Sequence, residues 1–152
     1  MTIITCTRKI NFCAGHRVYG HESRCRNLHG HNYNAFVTAQ ANSVGDTDGQ
    51  PTDILGRVID FSVLKQVIGG WIDEQWDHGF LLWESDEEAI AAVKAIENQR
   101  IYVMPINPTA ENIGKFLLEV ICPKLLLPRK TAVKVVEITV WETENCYATV
   151  KL

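Results

Sequence analysis

Two runs of residues with a period of two, both near the N-terminus, restrict this chain more than any other feature. In the first, Ile4, Cys6, Ile10 and Phe12 share one parity, while Thr5, Thr7, Lys9 and Asn11 share the other. Successive side chains of a strand point to opposite faces, so residues 3–13 are predicted to form a half-buried strand. The second run puts His29, His31, Tyr33, Ala35, Val37 and Ala39 on one parity. Gly15 permits a bend or bulge ahead of His16, and a polar loop from Arg17 to Asn27 joins the two runs. The simplest pairing is an antiparallel hairpin. It projects His29 and His31 together, toward the side that continues as apolar.

The remainder predicts helices between two such strand pairs. Ser43 to Gly56 carries Gly, Asp, Pro and Thr and reads as a long turn or loop. Asp60 is a candidate N-cap for a helix whose Phe61, Leu64, Val67, Ile68, Trp71 and Ile72 recur at helical spacing. Gly69-Gly70 costs that helix about 2 kcal/mol against two alanines, tolerable if another element packs closely there. The helix ends by presenting Trp76-Asp77-His78-Gly79. Ser85-x-x-Glu88 has the form of a capping box ahead of a short helix, and Arg100 to Met104 of a brief strand. Thr109 is a candidate cap for a helix with the stripe Ile113, Phe116, Leu117, Val120 and Ile121, stopped by Pro123. Val133 to Glu142 and Cys146 to Lys151 form the last two strands, joined by a tight turn. The expectation is a single α+β domain over residues 1–152. It comprises a four-stranded antiparallel sheet with two main helices on one face (β-β-α-α-β-β) and a short inserted helix.

Composition limits the function classes. A 152-residue chain with 46% hydrophobic and 22% charged residues can bury a real core. A net charge of −3 gives no field for nucleic acid, although a local basic pocket for a phosphorylated small molecule remains compatible with it. Met1 to Phe12 lacks the apolar run of a signal peptide, and no later stretch is long enough to span a bilayer. Cys6, Cys13, Cys25, Cys122 and Cys146 are odd in number and without paired spacing, which predicts reduced thiols and a cytoplasmic protein.

The chemistry concentrates between His16 and Tyr33. His29-x-His31 on a strand is a chelating pair, and His16, at the end of the neighbouring strand, reaches the same point. Three neutral imidazoles suit zinc and leave a fourth position open for water or substrate. Cys25 among Arg24, Arg26 and a bound metal is either an activated thiol or a fourth ligand that closes the site. His21, in the polar loop, carries no role. Asp77-His78 supplies an acid–base pair at a helix end, although sequence neighbours need not bond each other. Glu142 shares parity with Val136, Ile138 and Val140, so a carboxylate ends an apolar strand face. Either the strand has reached solvent there, or Glu142 accepts paired N–H donors from a planar heterocycle.

Assembled in order, these residues resemble the 6-pyruvoyltetrahydropterin synthase / 6-carboxytetrahydropterin synthase family along nearly the whole chain. The matching motifs are Phe12-Cys13-Ala14-Gly15-His16-Arg17, Cys25-x-x-x-His29-Gly30-His31-Asn32-Tyr33, Val58-Ile59-Asp60-Phe61-Ser62-x-Leu64-Lys65, Asp77-His78, Asn107-Pro108-Thr109-Ala110-Glu111-Asn112 and Trp141-Glu142-Thr143. The resemblance implies the T-fold, an assembly of subunits that is commonly a hexamer of two trimers, and active sites at subunit interfaces. It implies zinc on His16, His29 and His31, a pterin held by Glu142 with help from Thr109, and proton removal by Cys25. His78, supported by Asp77, would relay protons, and the substrate would be 7,8-dihydroneopterin triphosphate. The three residues between Cys25 and His29 look like the 6-carboxy branch, which serves queuosine and other deazapurine pathways; the 6-pyruvoyl branch has a longer gap. A catalytically silent T-fold binding module is the reading from another class. Trp83 to Ile106 exceeds the simple family pattern, and its default reading is decoration. Arg17, Arg24, Arg26 and Lys65 are the candidates for holding the triphosphate.

Overall fold

The computed structural model describes residues 3–41 and 52–152, so most of the loop expected from Ser43 lies outside the described residues. Strands β1 (Thr5–His16) and β2 (His29–Ala41) form the expected hairpin, paired without slippage from Thr5↔Gln40 to His16↔His29. Strands β5 (Val133–Thr143) and β6 (Cys146–Lys151) extend it on the β2 side, all antiparallel.

Two further strands make the sheet six-stranded. β3 (Gly79–Trp83) pairs in parallel with β1, and β4 (Ile101–Met104) pairs in parallel with β3, giving the order β4-β3-β1-β2-β5-β6. The four-stranded antiparallel expectation therefore describes the middle and one side of the sheet. β3 escapes a period-two reading because Leu81 and Leu82 are both fully buried. Strands covered on both faces read as continuous apolar runs. Leu81 enters the main core, while Leu82 joins Ala89 and Val93 in a separate small core. Residues 79–104, which include most of the segment from Trp83 to Ile106, are thus a strand–helix–strand unit, as parallel pairing requires a crossover between the two strands.

Helix α1 runs through Phe61–Leu64, a π-type stretch Lys65–Gly69 and Gly70–Gln75, capped by Asp60 accepting from the Ser62 amide. Helix α2 (Glu87–Lys94) is capped by Asp86, whose carboxylate accepts from the Ala89 amide, and not by Ser85 as the capping-box spacing suggested. Helix α3 runs through Ala110–Phe116, Leu117–Ile121 and Cys122–Leu126. Pro123 does not stop it. The Cys122 amide bonds back five residues to the Leu117 carbonyl, so the wider turn ahead of the proline absorbs its ring, and the helix continues. The core lies between the sheet and α1 and α3, with Tyr33, Trp76, Ile113, Leu117 and Ile138 fully excluded from solvent. Phe12 stacks on Tyr33 at 5.0 Å.

Two local readings meet the packing here. The parity of β5 changes at Val136: Glu137 pairs with Thr38 and Val135 with Ala39, leaving one extra residue as a bulge. The buried set is therefore Val133, Val135, Ile138 and Val140, with Val136 only half-buried. The close packing expected at Gly69-Gly70 is an ordinary 3.7 Å approach of Ile10 at Gly69, and open space at Gly70. Gly70 has helical angles, φ −60° and ψ −41°. Gly70→Ala should therefore stabilise the chain by about 0.4–1 kcal/mol, chiefly by restricting the unfolded state. The check is a rise in midpoint at unchanged m-value in urea unfolding.

Candidate metal centre and its surroundings

The register of the hairpin carries the three histidines to one place. His16 pairs with His29 and His31 pairs with Ala14, so all three imidazoles leave the core face at the end of β1 and β2. One ligand atom from each lies within 4.8 Å of the others, a group that could hold a metal ion and that does not include the Cys25 sulfur.

The hydrogen bonds assign the tautomers. His16 Nδ1 lies 2.7 Å from the Pro108 carbonyl, and His29 Nδ1 lies 2.7 Å from the Asn27 carbonyl. A carbonyl only accepts, so both Nδ1 atoms carry the proton and both Nε2 atoms present lone pairs. Those two Nε2 atoms are 3.1 Å apart. His31 Nε2 is buried without a hydrogen-bond partner among the described residues. Two facing lone pairs and an orphaned buried nitrogen are an unfavourable arrangement that a cation between them turns favourable. Burial pushes His16 down to about 4, outweighing its Pro108 bond, with His29 and His31 adding to the shift. His31 is lowered in the same way, by burial and then by His29. His16 and His31 stay neutral at pH 7, as metal ligation requires, and backbone carbonyls fix His16 and His29 from behind.

Around this set lie groups suited to a planar polar ligand. Glu142 sits where β5 is irregular between Trp141 and Thr143, and its Oε1 is 3.9 Å from His16 Nε2. Burial raises its pKa, helped by Glu111 and opposed by His29. Thr109 caps α3 by accepting from the Asn112 amide at 3.2 Å, which leaves its hydroxyl proton free to donate. Asn107 and Pro108, just before it, brace the loop and the His16 ring.

Sequence reasoning missed two nearby residues. Glu111, in the first turn of α3, is the second carboxylate felt by Glu142. Tyr33 is fully buried with an unpartnered hydroxyl, and its ionisation is suppressed by burial, by Glu142 and by Cys25. Its parity with His29 and His31 was the available signal.

Asp77 and His78 form a second group. Asp77 Oδ1 accepts from the Cys13 amide at 2.8 Å, and its Oδ2 lies 2.6 Å from His78 Nδ1, so the two sequence neighbours do bond each other. This needs a left-handed backbone at His78, φ 58°. The His78 amide donates to the Cys13 carbonyl, and Arg100 donates to the Asp73 and Asp77 carbonyls. Burial would raise the Asp77 carboxyl, but the Cys13 amide and His78 together hold it below its ordinary range. The His78 ring is largely exposed, and it borders an open cavity that His29 and His31 also line. Among the described residues, neither Asp77 nor His78 hydrogen-bonds to the three histidines, Cys25 or Glu142.

Cys25 lies half-buried in a single turn, Arg24–Arg26, and its carbonyl accepts from the Val18 amide at 2.8 Å. Arg17 is engaged by Asp86, which removes it from the candidates for holding a phosphate. The His21 ring makes a local bond with the Ser23 amide, and its own amide donates to the Val18 carbonyl.

A model of the 6-pyruvoyl tetrahydropterin synthase family matches residues 5–152. A Rickettsia felis protein named 6-carboxy-5,6,7,8-tetrahydropterin synthase is 41% identical over 97% of this chain and 100% of its own. A crystal structure of an uncharacterized Wolinella succinogenes protein superposes with a TM-score of 0.77 at 22% identity, covering 99% of both chains. The Plasmodium vivax 6-pyruvoyl tetrahydropterin synthase superposes with a TM-score of 0.68 at 26% identity, covering 99% of this chain and 98% of its own. The fold is the T-fold, with β3 and β4 added at one edge.

Proposed function

Because the chain belongs to the 6-pyruvoyl tetrahydropterin synthase family, we propose that it is a zinc-dependent 6-carboxytetrahydropterin synthase. It converts 7,8-dihydroneopterin triphosphate and water to 6-carboxy-5,6,7,8-tetrahydropterin, acetaldehyde and triphosphate, in the cytoplasm, for queuosine or other deazapurine synthesis. The carrying observation is the opposed Nε2 lone pairs of His16 and His29 beside the orphaned His31 Nε2. A three-imidazole set suits zinc with one position left open. The name of the 41% identical relative, against that of the 26% identical one, favours the 6-carboxy reaction.

His16, His29 and His31 would hold the ion. When bound, zinc supplies Lewis-acid polarisation of the hydroxyls on the substrate side chain. Glu142, as carboxylate, accepts N–H donors from the pterin ring, and the Thr109 hydroxyl donates beside it. Cys25 removes a side-chain proton, and His78 passes protons to and from the side chain, oriented by Asp77. The family resemblance implies a site shared between subunits, in which a neighbour's pair completes the set. The exposed sheet edges at β4 and β6 also favour association, and the family resemblance points to a hexamer of two trimers.

Mass spectrometry of the products formed from 7,8-dihydroneopterin triphosphate tests this directly. A carboxylated tetrahydropterin with an equivalent of acetaldehyde is the expected result. A pyruvoyl product would assign the chain to the other branch, and no turnover by zinc-loaded protein would leave it a binding module.

A further inference from the structure

Asp86 is 1% exposed, yet it carries a charge. Burying a carboxylate is costly unless a cation and hydrogen bonds compensate. Arg17 provides both, with Nε 2.5 Å from Oδ2 and Nη2 2.6 Å from Oδ1. This is the two-pronged pairing that only a guanidinium makes. The pair holds the Asp86 carboxyl below its ordinary range, the Arg17 bond leading and the Ala89 amide adding to it against the cost of burial.

The contact joins two parts of the chain far apart in sequence. Asp86 belongs to the inserted segment, and Arg17 opens the loop that carries Cys25. Tyr19, two residues on, packs edge-on against Trp83 at 5.6 Å and exchanges two backbone hydrogen bonds with the Asn107 side chain. Trp83 and Asn107 flank the insertion. Arg17 and Tyr19 are therefore pinned at either side of Val18, and the Val18 amide holds the Cys25 carbonyl. Nothing in this geometry is decorative: the insertion grips the loop at the two residues around the one that bonds to Cys25.

We propose that Asp86 is a positioning residue, acting through Arg17 and the Val18–Cys25 hydrogen bond to set where the Cys25 thiol stands. The inference rests on the reading of Cys25 as the group that removes the substrate proton. It assigns the segment between Trp83 and Ile106 a role in turnover without placing it in contact with the substrate.

Asp86→Asn is the discriminating variant, since asparagine caps a helix about as well as aspartate but cannot hold a guanidinium by charge. Arg17→Lys is its counterpart, keeping the charge and losing the fork, and it serves if Asp86→Asn fails to fold. A displacement of about 1 Å in a reacting group costs about 10²-fold, so kcat should fall by about tenfold or more. KM and bound zinc should stay within about twofold, because the groups that hold pterin and metal are untouched. A second readout needs no turnover: the rate of iodoacetamide labelling at Cys25, with exposed Cys146 as the internal reference, followed by peptide mass spectrometry. The expected result is a change at Cys25 of about fivefold or more, with Cys146 unchanged. Unchanged kcat and unchanged labelling in a folded variant would overturn the proposal. So would a fall in kcat matched by lost zinc, which would mark Asp86 as general support for the fold. If the wild-type protein turns over no pterin while the labelling shift still appears, the positioning stands and the proposed reaction falls.

Discussion

Cys25→Ala is expected to lower kcat by about 10³-fold while each chain still binds one zinc ion; removal of a positioned proton-transfer group typically costs about 10²–10⁴-fold. The expectation follows from the division of labour in the loop and hairpin. The cluster of ligand atoms within 4.8 Å comprises His16, His29 and His31, and the Cys25 sulfur lies outside it. Two of the three rings are fixed by carbonyls that owe nothing to Cys25, those of Pro108 and Asn27. Alanine at 25 also preserves the Val18–Cys25 backbone bond, so the loop keeps its path. A three-ligand site with an open position is the form that zinc takes in catalysis, whereas structural zinc is closed by four ligands. Triphosphate release gives the rate, and metal analysis of the dialysed protein gives the occupancy. A variant that loses its metal along with turnover would make Cys25 the fourth ligand. One that keeps both would remove it from the chemistry.

What the sequence disclosed follows from how far each signal extends. The alternation from His29 to Ala39 placed His29 and His31 on one face by parity, and the hairpin pairing brought His16 beside them. Asp60 and Thr109 were legible as caps because capping is a matter of the two or three residues that follow. β3 was not legible, because burial on both faces erases the period that reveals a strand. The flip at Val136 was hidden for a related reason: a bulge needs one extra residue opposite Thr38 and Ala39, and β5 alone does not show its partner. Asp86 looked like one acid in a run of three, and only the fold shows that it is buried and paired with Arg17. The bond between Asp77 and His78 depends on a left-handed backbone that no local pattern announces in a residue other than glycine.

Removing the metal with a chelator is expected to abolish turnover and lower the thermal midpoint, and zinc should restore both. The Nε2 atoms of His16 and His29 face each other at 3.1 Å, and among the described residues the His31 Nε2 has no hydrogen-bond partner. His16 and His31 do not readily take up protons here, since burial holds His16 at about 4 and lowers His31 as well. Nor can His16 readily turn away, with Nδ1 bonded to Pro108 and the ring packed edge-on to Tyr33 at 5.9 Å. A cation bound between these nitrogens would therefore stabilise the end of the hairpin. At a zinc concentration a thousandfold above the dissociation constant, binding to the folded state alone adds about 4 kcal/mol of stability. Because His16 is already neutral at pH 7, no proton need leave it on binding. Magnesium should not substitute, since it prefers oxygen ligands and three imidazoles suit zinc far better. A chelated, metal-free preparation that retains full activity and an unchanged midpoint would end the zinc reading, whatever the family resemblance implies.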